Sequence, residues 1–324
     1  MFNVISLGTA TLDVFLRSTG LDVETQNGEK DICVSYGAKI EVNEINFESG
    51  GGGTNSAVTF ARQGLKVASI VQIGDDFAGE KILTDLKKEG VDAGFVDIQK
   101  DNYTDYSTVL WVRDGGRTIL IYRGKTKLEK ASIPWESLET KWFYLSSLEG
   151  NLEIVKEIIS RFPQSKIAWN PGSRELNQKE EVLSLLPQIT QLNANKEEME
   201  QLVNEGKPTE IKELLTLLQK LPCQYLVVTD DRRGSWVWEK EEAAWWHAGI
   251  YEKAPRLETT GAGDSFGSGL VVGLIKEQNI EDCLHLASAN ATSVVGQVGA
   301  KRGILRESEL VNWTKEELQI KKIF

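Results

Sequence analysis

The sequence is poor in the residues that hold metals or cross-link small secreted domains. Its three cysteines, Cys33, Cys223 and Cys283, are scattered, and no two of them form a CxxC pair. Neither a disulfide framework nor a zinc knuckle is therefore predicted. The two histidines, His247 and His285, lie far apart in the sequence, which favours packing or surface roles over metal ligation.

Long hydrophobic runs are also lacking. No stretch approaches the roughly 20 apolar residues that span a bilayer, and residues 1–8 lack the basic start and the long apolar run of a signal peptide. We therefore expect a cytoplasmic protein with no membrane partner. Acidic residues outnumber basic ones by 48 to 37, giving a net charge of −11, which argues against a nucleic-acid partner.

The 324 residues alternate between short apolar runs and helical patterns. The runs predict buried strands at residues 4–7, 68–73, 166–169 and 226–229. The helical patterns cover residues 54–63, 79–89, 151–162 and 211–221, and residues 307–324 are predicted to form a further helix with a charged tail. Such alternation predicts a mostly parallel sheet covered on both faces. Ligands of such sheets bind beyond the carboxyl ends of the strands.

Two regions break this alternation. Ile32, Val34 and Tyr36 recur at a two-residue spacing, and residues 106–122 contain two apolar runs on either side of Asp114-Gly115-Gly116. Both patterns are typical of strands and hairpins. We predict that they form a small sheet beside the main domain, whose apolar face covers a ligand or pairs with a second subunit.

A glycine-rich helix start lies near the C-terminus. Gly261, Ala262 and Gly263 directly precede a helical apolar pattern, so main-chain N–H groups and the helix dipole would favour a phosphate there. Asp264 would stand beside that phosphate, where a carboxylate can take a proton from an attacking hydroxyl. The pairing indicates phosphoryl transfer. The alternative is an ordinary helix start whose Asp is favoured by the dipole alone.

A second glycine-rich segment lies near the N-terminus. Four consecutive glycines at residues 50–53 suit a ligand that approaches the backbone closely. Asn55 offers a donor and an acceptor to a polyol, although a flexible turn capped by Asn is an alternative. Asp13 lies just beyond the first predicted strand, where its carboxylate can accept two hydroxyl hydrogen bonds.

These segments together resemble the PfkB, or ribokinase-like, family of sugar and nucleoside kinases along nearly the whole chain. Residues 50–55, followed by Gly64 and by Gly-Asp-Asp-Phe-Ala-Gly at residues 74–79, resemble its N-terminal motif, and residues 259–264 resemble its C-terminal motif. The resemblance implies one catalytic domain over residues 1–324. Its fold would be a three-layer α/β/α domain with a mostly parallel central sheet and a projecting β-sheet lid at about residues 14–49 and 103–125.

The resemblance also implies roles for single residues. Asp264 matches the catalytic base, and the anion hole is matched by Gly261, Ala262 and Gly263. The implied acceptor-binding residues are Asp13, Gly51, Gly52, Asn55 and Glu149. The implied nucleotide-binding residues are Asn195, Thr229, Gly234, Asn290, Gly299 and Ala300. Glu198 is implied to position Mg²⁺ through water; without the family, Asn195 and Glu198 read as a helix capping box.

The implied reaction is ATP- and Mg²⁺-dependent transfer of the γ-phosphoryl group to a primary hydroxyl of a small sugar. The sequence departs from the family pattern at Glu258, where relatives carry Asp that helps bind a monovalent cation, so activation by K⁺ stays open. Asp231 replaces a common glycine. Gly52 and Thr11 stand where ribokinases often have Lys and Asn, so the chain need not be a ribokinase in the narrow sense.

Three alternatives stay open for the function. A nucleoside kinase would use the same machinery, with a base stacked on Phe15, Tyr36 or Trp111. A phosphosugar kinase would need an anion site drawn from Arg117, Arg123, Lys125, Lys127 and Arg174. A non-catalytic ligand-binding regulator is the third. The exposed lid sheet favours a homodimer.

Overall fold

The computed structural model describes residues 1–26, 29–112, 117–253 and 255–323. The strands within these ranges are β1 Phe2–Leu7, β2 Thr11–Arg17, β3 Asp22–Gln26, β4 Glu29–Cys33, β5 Glu44–Gly50, β6 Val67–Ile70, β7 Gln72–Gly74, β8 Asp97–Gln99, β9 Asp105–Trp111, β10 Arg117–Tyr122, β11 Thr140–Leu145, β12 Lys166–Trp169, β13 Gln191–Asn195, β14 Tyr225–Thr229, β15 Ser235–Glu239, β16 Ala244–Ala248 and β17 Ile320–Lys322. The α-helices are α1 Gly52–Arg62, α2 Phe77–Lys88, α3 Leu152–Arg161, α4 Ser173–Leu176, α5 Lys179–Leu185, α6 Lys196–Asn204, α7 Ile211–Leu218, α8 Ala262–Ile275 and α9 Ile280–Val295.

The main sheet has nine strands in the order β17-β16-β15-β14-β13-β12-β11-β1-β6. The six strands from β6 to β14 run parallel, and β15, β16 and β17 extend the sheet in antiparallel fashion. The parallel strands read as short apolar runs because both of their faces are covered. The predicted strand at residues 68–73 is two strands, since the chain leaves the main sheet at Val71 and β7 pairs with β8 instead.

Helices cover both faces of this sheet. One face packs against α3 to α7, through apolar residues such as Ile5, Leu145, Val155 and Leu215. The opposite face packs against α1, α2, α8 and α9, through Val4, Val58, Ile82 and Val271 among others. The predicted three-layer α/β/α architecture with a mostly parallel sheet is confirmed. Its layers bring α1 and α8, which carry the two glycine-rich segments, side by side on one face.

A separate four-stranded sheet, here called the lid sheet, has the order β10-β9-β2-β5. It starts at Thr11 and not at residue 14, because β2 continues from β1 after a short break. The strand pattern predicted for Val34 and Tyr36 is wrong: residues 34–43 form no strand, and β4 ends at Cys33 and pairs with β3. The predicted turn at residues 114–116 lies outside the described residues.

Two further predictions about helices need correction. Residues 307–323 form two short 3₁₀ turns followed by β17, which pairs with β16 at the edge of the main sheet, and not a helix with a tail. Helix α8 is not amphipathic, since every residue from Ser265 to Gly273 is buried between the sheet, α1 and α9. In the described part of the chain, no helix has the length and apolarity needed to cross a membrane.

Candidate active site

Helix α8 begins with a turn in which Gly261 adopts a left-handed conformation, with φ at 79°. A side chain there would be strained, and its Cβ would lie 2.6 Å from the Cβ of Ala300. The N–H of Ala262 donates back to the carbonyl of Thr259 at 3.2 Å. That amide is thus already engaged within the turn. Gly263 faces open space, because a Cβ at that position would meet no atom within 4 Å.

Asp264 lies in the first turn of α8 and faces α1. The side-chain amide of Asn55 donates to Oδ2 of Asp264 at 2.9 Å, joining the two glycine-rich segments. Burial raises the pKa of Asp264, while the Asn55 hydrogen bond and the nearby Lys301 act in the opposite direction. The side-chain oxygen Oδ1 of Asn55 is buried and has no hydrogen-bond partner among the described residues. The pair therefore presents an acid and an unused acceptor to the same space.

The glycine segment brings the backbone close to both acids. A Cβ on Gly50 would lie 2.0 Å from Oδ2 of Asp13, and a Cβ on Gly52 would lie 3.1 Å from Oδ1 of Asp264. Gly51 has φ at 91°, and its Cβ would lie 2.4 Å from the carbonyl oxygen of Thr9. No larger residue fits these three positions without moving the backbone or the acids. The two glycine-rich segments therefore meet, through the hydrogen bond between Asn55 and Asp264.

Asp13 lies inside β2 of the lid sheet, and not in a loop after β1 as its sequence position suggested. Ser107 of the neighbouring strand β9 donates to Oδ1 of Asp13 at 2.5 Å, and Thr11 donates to the same atom at 3.2 Å. Burial raises the pKa of Asp13, and these two hydroxyls and Lys301 partly offset that effect. Oδ1 is thus fixed by hydroxyl donors, and Oδ2 points to Gly50.

Glu149 lies in a tight turn after β11 with φ at 57°. The buried carboxylate of Glu175 holds this turn by accepting the main-chain N–H groups of Leu148 at 2.5 Å and Gly150 at 3.1 Å. Glu149 itself forms an ion pair with Arg174 at 3.5 Å. Its pKa is raised by burial and by the carboxylate of Asp105. Glu149 is therefore a strained, partly paired acid beside the base of the lid sheet.

A cavity of about 350 Å³ opens on the other side of the α8 start. Gly263 and Thr259 lie at one end of this cavity, and Tyr251 and Ser288 line it further along. Three of the residues predicted for the nucleotide are part of its lining, namely Asn195, Thr229 and Gly234. The cavity thus reaches the glycine turn, and Asp13 is not part of its lining.

Asn195 and Glu198 form the capping box of α6. The Asn195 side chain accepts the Glu198 N–H at 2.8 Å, and the Glu198 carboxylate accepts the Asn195 N–H at 2.9 Å. Burial raises the pKa of Glu198, and the carboxylate of Asp264 adds to the effect. Within the described residues, no group of three or more His, Cys, Asp or Glu side chains is arranged to hold a metal ion.

Asn290 does not face the cavity. Its amide donates to the carbonyl of Ser265 at 2.9 Å and accepts the N–H of Leu305 at 2.8 Å, so it ties α8, α9 and the C-terminal segment together. On the same helix, the cavity is lined by Ser288, Ala291, Thr292 and Val295. Asn290 therefore lies outside the cavity lining, with both polar atoms of its amide bonded within the protein.

Gly299 and Ala300 lie beside the turn and the lid sheet. Gly299 has φ at 93°, and a Cβ there would lie 2.8 Å from Cγ of Glu48 on β5. Ala300 packs against Gly261, as described above. Neither residue is part of the cavity lining. Both residues lie beside the left-handed turn at Gly261 or the lid sheet and outside the cavity.

The sequence patterns missed Lys301. Its ammonium group is buried and donates to the carbonyl of Ser49 at 2.5 Å. Burial lowers the pKa of Lys301 to about 7, although the carboxylates of Asp13, Asp85 and Asp264 favour its charged form. Asp13 and Asp264 therefore share Lys301 as a buried basic neighbour. No motif or periodicity marked this lysine, because its position depends on the packing of residues 299–303 against the lid sheet.

The fold, an α/β/α domain with a separate small sheet, is that of a class of kinases that phosphorylate a hydroxyl group. Residues 3–306 match the pfkB family carbohydrate kinases. The chain therefore belongs to this family and is a kinase with a hydroxyl acceptor. The ribokinase of Bacillus subtilis (strain 168) is 26% identical over 323 residues, covering 96% of this chain and 98% of that protein.

Solved structures show the same fold. The nucleoside kinase of Methanocaldococcus jannaschii superposes with a TM-score of 0.76 at 20% identity, covering 98% of this chain and 99% of that one. The ribokinase of Arabidopsis thaliana, complexed with ribose and ATP, gives a TM-score of 0.74 at 19% identity, covering 96% of this chain and 98% of that one. The family, fold class and kinase activity predicted from the sequence are confirmed.

Proposed function

We propose that this protein uses ATP to phosphorylate a primary hydroxyl group of a small neutral sugar. The observation that carries the proposal is the 2.9 Å hydrogen bond between Asn55 and Asp264, which holds an acid between the α8 turn and the glycine segment. The cavity of about 350 Å³ on the far side of this turn has room for a nucleotide. The Arabidopsis thaliana ribokinase complexed with ribose and ATP supports the same use of ATP.

Asp264 is the proposed base. It accepts the proton of the acceptor hydroxyl as that oxygen attacks the γ-phosphorus, and the raised pKa that burial causes improves its affinity for a proton. Gly261, Ala262 and Gly263 are proposed to form the turn that holds the migrating phosphoryl group at the positive end of α8, with the N–H of Ala262 bonded to Thr259 within the turn. Asp13, Gly51, Gly52 and Asn55 are proposed to bind the acceptor, with Glu149 at the edge of the site.

Asn195, Thr229 and Gly234 are proposed to contact the nucleotide, since all three line the cavity. For Mg²⁺, the oxygen donors of Asn195 and Glu198 are of the right type. Glu198 and Asp264 lie close enough for one carboxylate to raise the pKa of the other, and such a pair suits a divalent cation. When bound with ATP, Mg²⁺ would neutralise the polyphosphate charge, with Glu198 contacting it through water.

The charged residues around the proposed acceptor site favour a neutral acceptor over a phosphosugar. Two acids, Asp13 and Asp264, share one buried lysine, so an added phosphate would meet net negative charge. Three of the five basic residues considered for a phosphosugar are already paired with carboxylates, namely Arg117 with Glu258, Arg123 with Asp105 and Arg174 with Glu149.

A nucleoside acceptor is the second candidate, supported by the fold shared with the Methanocaldococcus jannaschii nucleoside kinase. The aromatic residues considered for base stacking argue against it. Phe15 is buried, and Trp111 is covered by the guanidinium of Arg17 at 5.6 Å. Tyr36 is fully exposed in the segment without strands. A neutral sugar therefore ranks first.

We also propose a homodimer formed through the lid sheet. The edge strand β10 exposes all six of its side chains, including Ile119, Leu120, Ile121 and Tyr122. An exposed apolar edge strand is a ready surface for pairing with a second copy. Light scattering should give a dimer for the wild type and a monomer for a variant with Leu120→Lys and Ile121→Lys. A monomeric wild type would rule the dimer out.

A coupled assay of ADP release tests the function. Neutral sugars, nucleosides and phosphosugars are supplied with ATP and Mg²⁺, with and without K⁺. We expect turnover with a neutral sugar, and a loss of about 10³-fold in Asp264→Asn because the general base is removed. Asp282→Asn is the matched control, since Asp282 is a first-turn acid of α9. Near-normal activity of Asp264→Asn would refute the base, and ligand binding without any turnover would indicate a regulator.

A further inference from the structure

One side chain of the lid sheet reaches the turn before α8. Arg117, the first residue of β10, forms an ion pair with Glu258, and its second terminal nitrogen donates to Oγ1 of Thr259 at 3.0 Å. These contacts join positions 141 and 142 residues apart in the chain. The lid strand is thus bonded directly to the segment that leads into Gly261.

The buried side chain of Glu258 forms hydrogen bonds within that segment. Its carboxylate is 4% exposed, and its Oε1 accepts both the N–H of Thr260 at 2.9 Å and the hydroxyl of Thr260 at 2.8 Å. The main-chain N–H of Glu258 donates to the carbonyl of Val295 on α9 at 3.2 Å. A buried carboxylate needs a cation or several donors to remain charged. Arg117 supplies the cation, and Thr260 supplies the donors.

The same sheet carries the proposed acceptor site. Asp13 lies on β2, which pairs with β9, and β9 pairs with β10. The position of this sheet therefore determines where both the Asp13 carboxylate, proposed to face the acceptor, and the Arg117 guanidinium lie. Displacement of the sheet would withdraw Arg117 from Glu258 and leave a buried charge unpaired beside the glycine turn.

We propose that Arg117 and Glu258 form a latch through which docking of the lid sheet orders the phosphate-binding turn, so that acceptor binding and phosphoryl transfer are coupled. The inference rests on the proposed function, because it deepens the role of the same turn. Arg117 is a positioning residue: it contacts Glu258 and Thr259, and it acts on the transferred group through them. Lysine cannot reproduce the latch, because one ammonium group lacks the forked pair of donors that reaches both partners.

The latch can be tested without turnover. Amide hydrogen exchange of residues 259–263 is measured in the wild type, in Arg117→Met and in Arg117→Lys. We expect at least about tenfold faster exchange in Arg117→Met, and an intermediate effect in Arg117→Lys, because the turn opens locally when its charge is unpaired. The control is Arg17→Met, which removes a lid arginine paired within the lid sheet with Glu44 at 3.8 Å. Unchanged exchange in Arg117→Met would overturn the latch whatever the activity.

Steady-state kinetics supply the second readout. Arg117→Met should lower kcat by about 100-fold while the KM for ATP changes little, and Glu258→Gln in the same chain should restore part of the loss by removing the unpaired charge. Equal losses in the single and double variants would overturn the coupling. Should Arg117→Met fail to fold, Glu258→Gln alone gives the exchange test. Altered exchange with no turnover of any acceptor by the wild type would refute the proposed function and leave the latch standing.

Discussion

Gly50→Ala tests the close fit between the glycine segment and Asp13. A methyl group at this position would lie 2.0 Å from Oδ2 of Asp13, 3.0 Å from its Cγ and 2.8 Å from Oγ1 of Thr11. Since such carbon contacts shorter than 3.0 Å essentially never occur, the carboxylate must move by about 1 Å. That shift breaks or weakens the 2.5 Å hydrogen bond from Ser107 and misplaces the oxygen proposed to bind the acceptor.

The expected loss follows from the bonds affected. A hydrogen bond to a charged group contributes about 1.5–3 kcal/mol, which corresponds to a fall of about 13- to 150-fold in kcat/KM for the acceptor. The KM for ATP should stay near its wild-type value, because neither Gly50 nor Asp13 lines the cavity proposed for the nucleotide. The coupled ADP-release assay measures both constants when each substrate is varied in turn.

A matched glycine in the lid provides the control. A Cβ on Gly20 would make only ordinary contacts, at 3.4 Å to Cγ2 of Ile40 and 3.6 Å to Oγ of Ser18. Gly20→Ala should therefore change stability and kcat/KM by no more than a surface substitution does. If folded Gly50→Ala retained acceptor kcat/KM within about threefold of the wild type, a difference worth less than about 1 kcal/mol, the assignment of Asp13 to the acceptor site would be refuted.

Three further predictions concern the acid and the turn. Burial raises the pKa of Asp264, so the folded state binds this proton more tightly than the unfolded state does. The charged carboxylate therefore destabilises the fold above its folded pKa. Asp264→Asn should raise Tm at neutral pH, and this gain in Tm should vanish in acid below the ordinary Asp pKa. Asn55→Ala removes the hydrogen bond that lowers the pKa of Asp264, so the acid limb of the kcat/KM profile should move to higher pH; an unmoved limb would contradict Asp264 as the titrating base. Gly261→Ala should lower kcat at least about tenfold, because Gly261 has a positive φ and the new Cβ would lie 2.6 Å from the Cβ of Ala300. Gly263→Ala should chiefly raise the KM for ATP, because a Cβ at that position meets open space. A larger loss of kcat in Gly263→Ala than in Gly261→Ala would show that the turn is not shaped as described.

The sequence was most informative where local chemistry and function coincide. Four glycines in a row and a glycine-rich helix start are unusual enough to mark the two segments that the structure joins through Asn55 and Asp264. The strand and helix pattern of the main domain was also predictable, because buried parallel strands read as short apolar runs. The predicted strand boundaries differ from the observed ones where the chain passes from one sheet to another, as at Val71.

Side chains whose roles depend on distant packing could not be predicted. No motif or periodicity marked Lys301, Ser107 or Glu175 as a site residue, and the partners of these residues are far away in the chain. The prediction of a helix at the C-terminal residues was wrong for another reason. Their charged pattern resembles a surface helix, but the open edge of β16 provides hydrogen-bond partners for β17, and Ile320 packs against α9 there.

The contact between Asn55 and Asp264 joins positions 209 residues apart. At elongation rates of roughly 5–20 residues per second, the first of these positions leaves the ribosome about 10–40 s before the second. A nascent chain therefore exposes the glycine quartet long before helix α8 exists to cover it. The contact between Asn55 and Asp264 can form only after α8 has been synthesised, and products truncated before α8 should carry no phosphotransferase activity.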